Sequence, residues 1–159
     1  MLSHSFTPSA ADRVRPGSEL QSPAPESDPL TWIGAVDDGE HILIIGGYGP
    51  GTTCALLRTG AVSITHLFLH ERPETGSASL VIVPRLPSLD WLATALSSVR
   101  RALVANGRLM IRGGIQFNFE VEARRMLALH GFIAIRAARI AGGKVLVAEV
   151  RPPGGRRAV

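Results

Sequence analysis

The chain is poor in several things at once, and each shortage excludes a class of protein. It has one cysteine, Cys54, in 159 residues. That rules out an internal disulfide framework and any zinc site built from several cysteines. Its five histidines, at positions 4, 41, 66, 70 and 130, fall at no metal-ligand spacing with acids or with Cys54, so no metal is expected. No apolar run nears the roughly 20 residues that span a bilayer. The N-terminus lacks the continuous apolar centre of a signal peptide, and the expected location is the cytoplasm. Of 17 basic side chains only Lys144 is a lysine, the net charge is +4 and aromatics are 5%. Arg151, Arg156 and Arg157 lie in a Pro/Gly-rich tail, and the other arginines are spread without aromatic interleaving. The clustered basic footprint of a nucleic-acid binder is missing.

What is present describes a globular domain. Hydrophobic residues make up 45% and charged residues 19%, and the length is enough to bury a core. Residues 1–28 are Ser/Pro-rich, with Pro8, Pro16, Pro23 and Pro25. Such a segment cannot offset its ordering entropy and reads as a disordered arm. The domain is expected over 29–150 and a basic flexible tail over 151–159.

The rest is organised around His41 to Thr53. Ile42, Leu43, Ile44 and Ile45 form an apolar run without alternation, as in a strand buried on both faces. Gly46, Gly47, Gly49 and Gly51 follow, allowing a tight turn and a close approach of backbone to a ligand. Thr52 to Gly60 reads as a short helix whose first turn aims N–H groups at the same place. Cys54 on this Ala/Leu-rich helix is expected to be buried and inert.

Downstream, Val62 to Leu69 and Leu80 to Val83 read as strands. Ser88 and Asp90 open a helix in which Leu89, Leu92, Leu96, Val99 and Leu103 recur at three- and four-residue steps. Asn106-Gly107 closes it, and Arg108 to Arg112 is a further strand. Asn118 is expected to cap a helix with Glu120 and Glu122 in its first turn, Met126 and Leu127 facing inward and Gly131 at its end. His130 would then lie at a helix C-terminus, where the dipole favours its charge. Phe132 to Ala138 and Lys144 to Val150 flank Ala141-Gly142-Gly143, a connection so short that it allows only an antiparallel pair. The fold class is therefore α/β: a Rossmann-like doubly wound sheet, mostly parallel, with a C-terminal antiparallel hairpin.

This order of parts resembles the class I S-adenosylmethionine-dependent methyltransferases over roughly Leu30 to Val150. The likeness rests on Ile44-Ile-Gly-Gly-Tyr-Gly-Pro-Gly51, on Leu80 to Pro84, on Leu96 to Ile111 with its Ala-Asn-Gly-Arg-Leu-Met-Ile ending, and on Leu127-Ala-Leu-His-Gly-Phe132 before the hairpin. The resemblance implies S-adenosylmethionine as cofactor, with Gly47, Gly49 and Gly51 forming the turn beneath it. Glu71 lies about 20 residues past the last glycine, where an acid bonds the ribose hydroxyls; a solvated loop carboxylate is the other reading. Tyr48, His70, Arg85, Arg112 and Asn118 lie near the C-terminal ends of the strands and are the candidate catalytic groups. None forms an acid–base pair by spacing.

The sequence also departs from the family. Ile45 stands where an acid usually precedes the first motif glycine, and Ser79 where the later strand often opens with Asp. Only eight residues separate Glu71 from Leu80, where the family inserts a helix, the third strand of its sheet and another helix. A shortened sheet exposes an edge and an apolar face that a protein partner, homo- or hetero-oligomeric, would cover. Several functions fit: a divergent methyltransferase acting on a small molecule or peptide within a complex, or a non-catalytic subunit completing another enzyme. A methyltransferase scaffold repurposed for a non-methyl reaction and a nicotinamide-binding Rossmann domain are further readings.

Overall fold

A computed structural model describes residues 36–47, 50–114, 119–140 and 143–152. These form the strands β1 (His41–Ile45), β2 (Ser63–Leu67), β3 (Ala78–Val83), β4 (Leu103–Gly114), β5 (Phe132–Ile140) and β6 (Gly143–Val150). Three helices join them: α1 (Pro50–Arg58), α2 (Leu89–Ala102) and α3 (Glu120–Leu129). The strands make one sheet in the order β2-β1-β3-β4-β6-β5. The first four run parallel, and β6 and β5 close the sheet antiparallel. The expected sheet class is found. The sheet ends at β2, so the additional strand that the family carries beyond it has no counterpart among the described residues. The N-terminal arm, residues 29–35 of the expected domain and the end of the tail lie outside them.

Alternation along the strands divides the core in two. On one face Leu43, Ile45, Val81, Val83, Leu109, Ile111, Leu146 and Ala148 pack under α2 and α3. On the other Ile42, Ile44, Leu80, Ile82, Met110, Val145 and Val147 form a smaller cluster with Leu56 of α1 and Val36. Both sides of β1 and β3 are thus buried, which is why their sequences show no alternation.

The sequence of α2 specifies it closely. Ser88 caps it, its hydroxyl oxygen accepting from Trp91 N at 3.1 Å. Leu92, Ala95, Leu96, Val99 and Ala102 make the buried stripe, in which each large apolar side chain contributes about 1.5–3 kcal/mol. The chain then enters β4 at Leu103, earlier than the expected start at Arg108, and Asn106 takes a left-handed φ of 63°. The regular parallel register with β3 nevertheless runs from Arg108 to Ile111, after an irregularity.

α3 follows with Phe119, fully buried, in the N-cap position; Asn118, the expected cap, lies outside the described residues. A Cβ at Gly113 would fall 1.8 Å from the Phe119 ring, so only glycine lets that ring close over the end of β4. His130 takes the C-cap position, its Nδ1 2.9 Å from the Met126 carbonyl. One expectation fails. Cys54 is exposed, because α1 turns only Leu56 fully into the core and Cys54 falls on its outer side. Among the described residues, no helix is long and apolar enough to cross a membrane.

Candidate functional site

The parallel strands β1, β2, β3 and β4 bring their C-terminal ends to one edge. In open α/β sheets that edge is where ligands bind, close to the point at which the strand order reverses. Here the reversal lies at β1, since the chain moves from β1 outward to β2 and returns to β3 on its other side. The glycine turn begins at the end of that strand.

Gly46 has a φ of 103°, a conformation that favours glycine. Three contacts fix it. Its N–H donates to the Leu67 carbonyl at 3.2 Å. His66 of β2 donates from Nε2 to its carbonyl. The indole of Trp91 lies against it from α2, 3.5 Å from where a Cβ would be. Beyond this pinned residue the backbone is bare: a Cβ added at Gly47 or at Gly51 meets nothing within 4 Å. α1 begins at Pro50, with no acid in its first turn. Its leading N–H groups and positive dipole end therefore meet no local negative charge. Tyr48 and Gly49 lie outside the described residues.

The other expected groups are placed around this turn as follows. Glu71 follows β2 in an exposed turn that it closes itself. Its N–H donates to the Phe68 carbonyl at 3.0 Å, and its Oε2 accepts from Phe68 N at 2.7 Å. The carboxylate is thus held at the end of β2 with one oxygen engaged by the turn. His70 is exposed in the same turn. Arg85 is exposed just past β3, and Arg112 is half-buried near the end of β4. Leu86 N donates to the Arg112 carbonyl at 2.8 Å, which ties the two arginine-bearing segments together. Gly47, Gly51, Glu71, Arg85 and Arg112 therefore share the C-terminal edge; Asn118 falls outside the described residues.

Sequence reasoning missed two participants. Trp91 was hidden because a tryptophan in the first turn of an amphipathic helix carries no signature of its own. His66 stands out in the sequence only as one histidine within the strand Val62 to Leu69. Its bond to Gly46 joins groups 20 positions apart, which only the register of β2 beside β1 creates. His66 also stands edge-on to Phe68, with ring centroids 5.1 Å apart.

No family model matches the chain, and no curated protein matches its sequence. Solved structures do. A ribosomal-protein methylase from Lactobacillus delbrueckii subsp. bulgaricus is similar with a TM-score of 0.62 at 12% identity, over 79% of this chain and 77% of the methylase. The didemethyltoxoflavin methyltransferase of Burkholderia thailandensis, solved with didemethyltoxoflavin and S-adenosylhomocysteine, is similar with a TM-score of 0.56 at 13% identity, over 77% of this chain and 75% of that one. A release-factor-specific protein-glutamine methyltransferase from Alicyclobacillus acidocaldarius gives a TM-score of 0.53 at 15% identity, over 87% and 99% of the two chains. The chain has a class I S-adenosylmethionine-dependent methyltransferase-like fold.

Proposed function

We propose that this chain is a methyltransferase-like protein of reduced size that holds S-adenosylmethionine at the C-terminal edge of its sheet. The observation that carries this reading is the pinned glycine turn at the end of β1, opening onto a bare helix N-terminus within a methyltransferase-like strand order. The backbone at Gly47 and Gly51 fits the group, since it leaves room where any other residue would project a side chain. Glu71, with one oxygen engaged by its own turn, is the acid positioned to bond the ribose hydroxyls. When bound, the cofactor supplies a methyl group on a sulfonium. The chain's contribution to transfer is alignment of an acceptor with that methyl, which needs positioning more than acid–base chemistry. The acceptor is a small molecule or peptide, and the setting is the cytoplasm.

The reading includes a protein partner. Among the described strands, the two outermost differ in how they are guarded. β5 carries exposed Arg136 and Arg139, an irregular register between Ile133 and Arg136, and an Arg136–Glu149 ion pair at 3.2 Å. Charge and bulging of this kind discourage further strand pairing. β2 (Ser-Ile-Thr-His-Leu) has no Lys, Arg, Asp, Glu or Pro and pairs in unbroken register. Val62 and Phe68, each 64% exposed, flank it at three residues on either side of Thr65. An antiparallel pairing centred on Thr65 sets Val62 of each copy opposite Phe68 of the other. A second copy of the chain is thus the occupant that this edge suits.

Native mass spectrometry of the protein as purified reads both parts of the proposal. A dimer retaining S-adenosylmethionine or S-adenosylhomocysteine is expected, with Phe68→Lys shifting it to monomer. A ligand-free monomer that takes up no cofactor on addition contradicts both.

A further inference from the structure

One cation in the described part of the molecule stands apart from the rest. Four basic side chains are half-buried: Arg108, Arg112, Arg124 and Lys144. Arg108 is paired with Asp37 and Glu40, and Arg124 and Lys144 are both paired with Glu120. Arg112 has no carboxylate partner among the described residues. Removing a guanidinium from water without a counter-charge is costly, and the structure meets that cost at the other three positions. Leaving Arg112 unmatched is explained if its counter-charge arrives with a ligand.

Its position supports this. In β4 the odd residues Leu109 and Ile111 belong to the core beneath α2 and α3, whereas Met110 belongs to the cluster on the α1 side. Alternation therefore puts the Arg112 side chain on the α1 side. Ile44, Ile82 and Met110 stand in register across β1, β3 and β4. Gly46, Pro84 and Arg112 follow two residues further along each chain, so Arg112 emerges level with the first glycine of the turn. The bond from Leu86 N to the Arg112 carbonyl brings the exposed Arg85 segment alongside. Arg85 likewise has no carboxylate partner among the described residues.

We propose that Arg112, assisted by Arg85, anchors an oxyanion carried by the methyl acceptor, a carboxylate or a phosphate. Both groups match the planar fork of a guanidinium, which binds them through two parallel N–H···O bonds. The assignment deepens the methyltransferase reading and rests on it for the word acceptor; the oxyanion site itself does not.

The test is heteronuclear NMR of the arginine side-chain Nε–Hε groups, with inorganic phosphate and acetate as probes. Saturable shifts of Arg85 and Arg112 are expected, with the exposed Arg100 as the unmoved reference. Arg112→Gln is expected to weaken phosphate binding about tenfold or more, as loss of a charge-assisted bond does. Arg85→Gln keeps the test decisive if Arg112→Gln does not fold, with a smaller loss expected. The phosphate titration is then repeated in saturating S-adenosylhomocysteine. Undiminished phosphate binding supports an acceptor site. Displacement of phosphate identifies the oxyanion as the cofactor's own carboxylate and overturns the proposal. Equal, non-saturating shifts at Arg85, Arg100 and Arg112 overturn it as well. A protein that binds phosphate at Arg112 but gives no heat with S-adenosylhomocysteine in calorimetry leaves the oxyanion site standing and sinks the methyltransferase reading instead.

Discussion

The two ends of the parallel strands are built on opposite terms. At the N-terminal end every polar group described above is matched. Arg108 lies 2.6 Å from Glu40 and 3.0 Å from Asp37, and Glu40 is only 8% exposed. Glu40 also accepts from Asp37 N at 2.9 Å. The Ser79 hydroxyl accepts from His41 N at 3.0 Å and donates back to the His41 carbonyl at 3.3 Å, stitching β1 to β3. His41 Nδ1 and Ser63 Oγ share a further bond of 2.8 Å between β1 and β2. At the C-terminal end Arg85 and Arg112 have no carboxylate partners among the described residues, and a Cβ at Gly47 would meet nothing within 4 Å. One end is matched internally, and the other is the edge to which the proposed function assigns a ligand.

Substitutions at the two ends should therefore separate into two classes. Glu40→Ala is expected to give the largest loss of stability, about 1–3 kcal/mol, because it strips Arg108 of its less exposed partner. Arg112→Gln at the opposite end should stay within about 0.5 kcal/mol, since no side-chain hydrogen bond or ion pair among the described residues is lost. Urea unfolding of the pair decides the matter: equal losses would break the distinction between the ends. Ser79→Ala should fall between them at about 1 kcal/mol, the usual net worth of a hydrogen bond.

The smallest effect concerns Glu120, which lies beyond both ends, at the start of α3. Lys144 first, and then Arg124, hold its carboxyl below the ordinary 4.5. A depressed folded value means that its contribution is present above the unfolded value and is lost as pH falls through the folded one. Glu120→Gln should therefore lower stability slightly at neutral pH, by an amount kept small because these are surface pairs, and the two proteins should converge as pH falls below about 4.5. A gap between the two proteins that stays constant down to acid pH contradicts this.

How much could be read from the sequence follows the same division. β1, β3 and α2 were legible because burial on two faces or on one stripe writes a continuous or a periodic apolar pattern into the chain. The closing hairpin was legible from connection length alone. Cys54 was misplaced because an Ala/Leu-rich helix of nine residues does not reveal which side it buries, and here only Leu56 goes fully in. The start of β4 was displaced because Asn106-Gly107, which reads as a helix stop, instead lies within an irregular strand entry. The glycines and the arginines of the site were visible as residue types. What set Arg112 apart was invisible, since the partners of Arg108, Arg124 and Lys144 lie 68, 4 and 24 positions away and only the fold shows which half-buried cation has none among the described residues. His66 and Trp91 escaped for the same reason: each acts on Gly46 through tertiary placement.

The central claim is that the space above the glycine turn belongs to S-adenosylmethionine, and Gly47 offers the most direct test. A Cβ there meets nothing within 4 Å, so Gly47→Val should fold with an unchanged melting temperature. Calorimetric titration of the wild-type protein with S-adenosylmethionine should show saturable heat, and the same titration of Gly47→Val should show affinity lowered by about tenfold or more, the equivalent of one lost close contact. No heat from the wild-type protein, or equal affinity in the two, would contradict the assignment.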